Sequence, residues 1–367
     1  MRIAIVSDAW TPQVNGVVRT LQMVQAELTA MDHIVEVFGP DRFATLPCPT
    51  YPEIRLALLP GRRLVRLLKA FEPDAIHIAT EGPLGLAARR YCLRHGLPFS
   101  SAYHTRFPEY VRARLFFPLD WTYAMMRHFH APSMAVMVST DSIREDLEAR
   151  GFRNIRKWTR GVDLDLFRPR TPGPTTEDIH RPIWLYVGRV AVEKNIEAFL
   201  SLDLPGSKWV VGGGPLLHKL QRRYPGAHFK GHQQGEELAA LYRMADVFVF
   251  PSRTDTFGLV LLEALASGLP VAAYPVPGPR DVIGDAPVGA LGEDLRSASL
   301  AALKCDPAAC RPHATRYSWK RTAEVFLANL APLAKTSAPS PARGSTPRSG
   351  GMGCATHTGS ALRRLSD

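Results

Sequence analysis

Short runs of β-branched and apolar residues alternate along the chain with longer stretches of helical periodicity. RIAIV (Arg2 to Val6), IVEVF (Ile34 to Phe38), AIHI (Ala75 to Ile78) and MVST (Met137 to Thr140) read as strands. Between them, helical spacing covers Val17 to Ala30, Arg62 to Phe71, Pro83 to His95 and Asp141 to Arg150. A repeated βα pattern predicts a parallel sheet with helices on both faces. The polar, proline-rich stretch RPRTPGPTTEDIHRP, Arg168 to Pro182, has linker composition. The alternation then restarts with strands IWLYV (Ile183 to Val187), KWVVG (Lys208 to Gly212), HFKG (His228 to Gly231), VFVF (Val247 to Phe250) and PVAAY (Pro270 to Tyr274). Helices are expected over Ile196 to Leu202, Leu216 to Tyr224, Gly235 to Met244 and Gly258 to Ser267.

The predicted class is α/β, with two doubly wound domains. The first spans residues 1–167, the linker 168–182 and the second domain 183–318. A helix over residues 319–334 follows, and could pack back on the first domain. Residues 335–367 carry too little apolar content to offset their ordering entropy and are expected to be disordered.

Composition narrows the function. The chain has 367 residues and a net charge of +11. The tail supplies +4 of that through Lys335, Arg343, Arg348, Arg363 and Arg364 against Asp367, leaving +7 for the remainder. An anionic partner is implied, such as a phosphate, nucleic acid or an acidic membrane face. A nucleic-acid binder would need a cationic face with interleaved aromatics, yet much of the excess charge sits in the tail, so no nucleic acid is expected. No apolar run approaches a membrane span. The N-terminal MRIAIVSDAW is too short for a signal peptide, so a cytoplasmic location is expected. The five cysteines are scattered, without a CxxC pair or a metal-spaced histidine, which predicts reduced thiols and no metal site.

Doubly wound domains bind ligands beyond the carboxyl ends of their strands. In the first half, SDAWTPQVNGVVRT runs from strand to helix, with Asn15 as N-cap and Gly16 in the first turn, where bare backbone N–H groups could face an anion. Gly16 reads equally as a turn glycine. The dinucleotide fingerprint GxGxxG is absent, and GGGP at Gly212 to Pro215 has the wrong spacing for it, which counts against a dehydrogenase. In the second half, GRVAVEKN sets Arg189 and Lys194 in one loop, where they could neutralise a diphosphate or serve as solvated surface cations. The stretch PSRTDTFGLVLLEALASGLP, Pro251 to Pro270, holds a loop and a helix closed by Gly268 and Pro270. The N–H groups of Phe257, Gly258, Leu259 and Val260 at its start form a candidate anion site. Side chains lean toward a helix N-terminus, so Glu263 can point at the same ligand, while Asp255 reaches another part of it. A dipole acid plus a helix-face glutamate has the same spacing.

Together, NGVVRT, SAYHTRFPEY, RGVDLDLF, VGRVAVEKN, VGGGP and this last stretch resemble the retaining GT-B glycosyltransferases of sequence class four, in the family's order. The resemblance implies a nucleotide-sugar-dependent transferase with two Rossmann-like domains across a cleft and no metal or other cofactor. It assigns Arg189 and Lys194 to the donor diphosphate, Glu263 to the donor ribose and Asp255 to sugar hydroxyls. Asp255 stands where the family pattern has Glu, which bears on donor preference. The same resemblance places Gly16 against the donor phosphates, Arg160 near the cleft, His104 beside the reacting sugar through its carbonyl or ring, and the Lys230–Gly231 turn at the base. His104, Arg189, Lys194 and Asp255 are the expected catalytic set.

TDTFG and SAYHTRFPEY look most like the lipid-directed branch of α-mannosyltransferases, glycosyl-diacylglycerol synthases and sulfolipid synthases. This implies transfer of a hexosyl group, mannosyl first, to a lipid-linked or glycan acceptor with retention. The alternatives are transfer from a UDP-sugar (glucose, glucuronate or sulfoquinovose) to diacylglycerol, and a nucleotide-sugar epimerase on the same fold. GRRLVRLLKAF, with Arg62, Arg63, Arg66 and Lys69 beside Leu64, Val65, Leu67 and Leu68, reads as a basic amphipathic helix for anionic lipid at the inner face of a membrane, or as an ordinary surface helix. Arg112 to His130 adds aromatics and methionines that suit lipid or core alike.

Overall fold

The computed structural model describes residues 1–13, 15–48, 51–109, 112, 118–170 and 180–333, with backbone only for residues 51–53. Residues 113–117 of the aromatic stretch, 171–179 of the expected linker and the whole 335–367 tail therefore lie outside the described residues.

The apolar runs become two parallel sheets. The first is built from β1 (Arg2–Val6), β2 (Ile34–Phe38), β5 (Ala75–Ile78), β6 (Ser100–Ala102), β7 (Ala135–Val138) and β8 (Ile155–Lys157), in the order β2-β1-β5-β6-β7-β8. The second contains β9 (Ile183–Val187), β10 (Ser207–Val211), β11 (His228–Gly231), β12 (Val247–Phe250), β13 (Val271–Ala273) and β14 (Gly289–Leu291), ordered β11-β10-β9-β12-β13-β14. All pairings within both are parallel. The runs AIHI, AVMV, IWLYV and VFVF are buried at every position, as strands covered by helices on both faces must be.

Numbered within its own half, the second sheet has the 3-2-1-4-5-6 order of a dinucleotide-type doubly wound fold. In the first, an antiparallel hairpin, β3 (Thr45–Cys48) with β4 (Tyr51–Ala57), stands where the third strand would be. Both orders reverse direction beside the central strand, between β1 and β5 in one sheet and between β9 and β12 in the other. The loops that follow those strands are where a ligand crevice opens.

Several expectations shift. MVST is not a strand over its length: the strand is β7, and Thr140 instead caps α5 (Asp141–Ala149), its hydroxyl accepting from Ile143 N at 3.3 Å. β6 carries two serines, so it lacks the apolar signature. Burial of those serines is possible because Ser100 Oγ lies 2.9 Å from His77 Nδ1, and Ser101 Oγ lies 2.8 Å from both His130 Nδ1 and Ser133 Oγ. The last long helix, α13 (Trp319–Ala328), ends five residues before Leu333; the chain then runs extended, with Pro332 bridged to Ala75 and Leu333 N donating to Asp74 O at 2.8 Å.

Helix α13 follows the second sheet in sequence yet packs on α1 (Gly16–Ala30) beside the first. Phe326 and Ala323 share the core of Ile3, Ile5, Leu21 and Trp158, and Trp158 Nε1 donates to Thr322 O at 3.1 Å. The crossing is close. A Cβ on Gly161 would lie 2.5 Å from Trp319 N, so no larger residue fits there.

Candidate functional site

The crevice of the second sheet is framed by the loops after β9 and β12. Beyond β9, Val190 N donates to Gly213 O at 2.8 Å and Gly188 N to Val211 O at 3.0 Å, locking this loop to the glycine loop after β10. Gly212 has φ +132, and a Cβ there would lie 1.9 Å from Gly188 O, so this approach demands glycine. Gly212 N also donates to Gly231 O at 2.7 Å, which places Gly231 at the end of edge strand β11, beside the glycine loop; the neighbouring Lys230 Nζ lies 4.4 Å from the Trp209 ring centroid. Arg189 is half-buried in the loop and its carbonyl accepts from Tyr186 Oη at 2.8 Å.

Lys194 ends a short helical turn and forms an ion pair with Asp255, so the basic loop and the TDTFG loop meet. Asn195 Nδ2 donating to Pro251 O at 3.1 Å and Thr254 Oγ1 to Glu193 O at 3.2 Å hold them together. Lys194 engages Asp255 through Oδ1. Its Oδ2 is buried without a hydrogen-bond partner.

Helix α9 (Leu259–Ala266) starts from Gly258, whose φ of +85 turns the chain sharply and which offers no side-chain cap. Phe257 is buried in the core of the second half, while Leu259 and Val260 are half-buried at the first turn. Gly16, at the start of α1, faces this turn, since a Cβ on it would lie 3.8 Å from Leu259 Cδ1. Its helix start is less bare than expected. Asn15 Oδ1 accepts from both Val17 N and Val18 N at 3.0 Å, so the cap already uses the donors that an anion would meet.

Glu263 does not stand open on a helix face. Its side chain is 4% exposed, Oε1 accepts from Arg19 at 2.6 Å and Oε2 accepts from Tyr242 Oη at 2.9 Å. Burial, with Glu263 beside it, pushes the Tyr242 hydroxyl well above its usual pKa, so it stays a donor.

His104 and Arg160 lie together at the first half's edge of the crevice. Arg160 is 4% exposed and donates to Trp158 O at 2.7 Å, to Thr159 O at 3.1 Å and to His104 Nδ1 at 3.1 Å, its guanidinium 4.4 Å from the Trp158 ring centroid. Burial lowers the Arg160 pKa to about 9. Burial first, then the Arg160 charge, holds His104 well below its usual pKa, so the ring is neutral. A guanidinium can only donate, so Nδ1 accepts and the ring proton sits on Nε2, which is buried without a partner. The His104 carbonyl accepts from Thr256 Oγ1 at 2.8 Å, and Thr256 O accepts from Ser139 Oγ at 3.2 Å. The His104 carbonyl thus has one partner in Thr256, while the ring's Nε2–H has none.

Arg19, Thr256, Tyr242 and Ser139 escaped the sequence reading as site residues. Arg19 and Thr256 lie inside the motifs NGVVRT and TDTFG, yet only folding sets them against residues 244 and 152 positions away. Among the described residues, no group of three or more His, Cys, Asp or Glu side chains is placed to hold a metal. No described helix is long and apolar enough to cross a membrane.

A family model described as Glycosyltransferase Family 4 matches residues 14–166, and one described as Glycosyl transferases group 1 matches residues 168–304. The chain belongs to this glycosyltransferase family. The GDP-mannose-dependent alpha-mannosyltransferase of Mycobacterium tuberculosis is 32% identical over 77% of this chain and 81% of its own length. The alpha-monoglucosyldiacylglycerol synthase of Streptococcus pneumoniae is 28% identical over 84% of this chain and 79% of its own. Sucrose-phosphate synthase from Thermosynechococcus elongatus superposes with a TM-score of 0.69 at 20% identity, covering 89% of this chain and 97% of that one. This glycosyltransferase has the GT-B fold, and the Thr256 to His104 hydrogen bond joins its two halves beside Asp255.

Proposed function

We propose that this glycosyltransferase moves a mannosyl group from GDP-mannose to a lipid-linked acceptor with retention. The observation that carries the reading is a pair of buried polar atoms without partners, the His104 Nε2 donor and the Asp255 Oδ2 acceptor, on segments tied together by the Thr256 to His104 hydrogen bond. A donor and an acceptor left unpaired in a buried crevice suit the hydroxyls of a sugar, since a ligand hydroxyl can satisfy each. The name of the mycobacterial relative supports mannose, and that of the pneumococcal relative supports a lipid acceptor.

In this reading, Arg189 and Lys194 neutralise the leaving diphosphate, with the uncapped start of α9 at Gly258, Leu259 and Val260 aiding them. Asp255 binds sugar hydroxyls, and its pairing with Lys194 couples the sugar contact to the phosphate contact. Arg160 fixes the His104 tautomer so that Nε2 donates toward the sugar. Gly16 and Gly231 flank the phosphates and the base. The acceptor attacks from the leaving-group face, and a diphosphate oxygen takes its proton. The protein works in the cytoplasm and meets the inner face of a membrane through the exposed arginines and lysine of α2 (Gly61–Phe71).

The test is nucleotide release from GDP-mannose, UDP-glucose and UDP-glucuronate, with and without membrane lipid. Lipid-dependent release of GDP is expected, and Asp255→Ala should lower kcat on the order of 100-fold. Release from a UDP-sugar alone moves the assignment to a diacylglycerol glycosyltransferase. Consumption or binding of no donor overturns it.

A further inference from the structure

We propose that Arg19 competes with the donor's ribose for Glu263, so that nucleotide binding and the Arg19 contact between the two halves exclude one another. This rests on the donor reading above, in which Glu263 receives ribose hydroxyls.

Three observations carry it. Glu263 is almost fully enclosed and both its oxygens are engaged, Oε1 by Arg19 at 2.6 Å and Oε2 by Tyr242 at 2.9 Å. Each oxygen has a second lone pair, but with the side chain only 4% exposed a ribose hydroxyl gains room beside the carboxylate only if one of the two partners moves. The partners are unequal in mobility. Tyr242 is 0% exposed, locked in the core with Phe167 and Phe248, whereas the Arg19 side chain is 38% exposed and leaves for water at little cost. Finally, the two ends of the ion pair belong to different halves of the molecule. Arg19 lies on α1 beside the first sheet and reaches over Phe167, 5.7 Å from its ring centroid, while Glu263 lies on α9 beside the second.

Arg19 is thus a positioning residue. It satisfies a buried carboxylate that would be costly to leave alone, and it ties the first turn of α1 to the middle of α9. A nucleotide whose ribose hydroxyls replace it removes that tie, so occupancy of the donor site is coupled to the contact between the halves. Loss of an ordinary structural contact would leave nucleotide affinity unchanged or weaken it. Loss of a competitor strengthens it, and the carboxylate deprived of Arg19 has the most to gain from ribose.

The experiment is calorimetric titration of the full chain with GDP and with UDP, for the wild type, Arg19→Met and Arg19→Lys. The Met variant is expected to bind the nucleotide about fivefold more tightly, the factor set by a partly exposed ion pair, and the Lys variant to fall between. Thermal unfolding of the unliganded Met variant should come earlier, because Glu263 loses its charge partner, and the Lys variant should unfold close to the wild type. If the Met variant does not fold, the Lys variant carries the test with the same sign. Nucleotide bound equally or more weakly by the variants overturns the competition while leaving the donor reading intact. Failure of the wild type to bind either nucleotide overturns the donor reading and the competition with it.

Discussion

Two buried histidines near the cleft differ in what their surroundings ask of them. His104 holds its proton on Nε2 because Arg160 occupies Nδ1, and that proton has no partner within the protein. His77, on β5, pairs with Ser100 through Nδ1 and also leaves Nε2 without a partner, but it is fully enclosed, edge-on to Trp158 and Phe326 with ring centroids 6.0 and 4.8 Å away. It is a core residue. Burial, reinforced by the Arg160 charge, drops its pKa from 6.5 to about 3. Between those values the unfolded chain binds a proton that the folded chain refuses, so stability falls as pH falls through that window. It is fully retained above pH 6.5. The slope from this residue is ~1.4 kcal/mol per pH unit. His77→Asn, which keeps a polar contact within reach of Ser100, should flatten the pH dependence of urea unfolding between pH 4.5 and 6.5 by about that amount. Parallel slopes for variant and wild type would refute the assignment.

At the scale of the element, α2 shows where periodicity misleads. Its leucines have the spacing of a lipid-facing stripe, but Leu64 and Leu68 are 0% and 1% exposed in the core with Phe38 and Phe71, so that stripe faces protein. The basic side is the exposed one. A membrane role for α2 is then electrostatic, helped by the adjacent Leu59 at 96% exposure, and not an insertion of the helix's own apolar face. Arg63 stacks 5.7 Å from the Phe43 ring centroid, which leaves Arg62, Arg66 and Lys69 as the substitutions that disturb no packing. Reversing all three to Glu should abolish co-sedimentation with phosphatidylglycerol vesicles at low salt, with thermal unfolding unchanged. Retained sedimentation would remove α2 from the membrane face. The aromatic stretch divides in the same manner. In α4 (Leu119–His130), Tyr123, Met126 and Phe129 are core, while Trp121 is 74% exposed.

Across the whole molecule, the two halves meet through few polar contacts near the cleft: Arg19 to Glu263, Thr256 to His104, Ser139 to Thr256, and Ser142 N to Asp281 Oδ1 at 3.3 Å. They are also joined by the chain itself, because α13 returns to the first half and completes its core. Phe326 lies 5.1 Å from the Trp158 ring, with both residues fully buried. Phe326→Ala should cost about 3 to 5 kcal/mol, read from guanidinium unfolding. A cost below ~1 kcal/mol would mean that α13 is dispensable to the first half.

Local pattern was enough for the elements whose burial is nearly uniform or alternates: β1, β5, β9 and β12 match their apolar runs, β11 its alternation, and α8 (Gly235–Met244) its helical spacing, because such a pattern alone encodes which side is covered. The sequence also brought Asp255, Lys194 and Glu263 forward as candidates, through ordered motifs in one chain. Whom each of these touches follows from the fold instead. β6 is a strand because distant histidines satisfy its serines, Glu263 is occupied because Arg19 arrives from the other half, and His104 points its Nε2 proton away from Arg160 because that guanidinium holds Nδ1. Partners separated by 23 to 244 residues leave no periodic trace along the chain, since hydrogen bonds are set by proximity in space and a pattern is set by proximity in sequence.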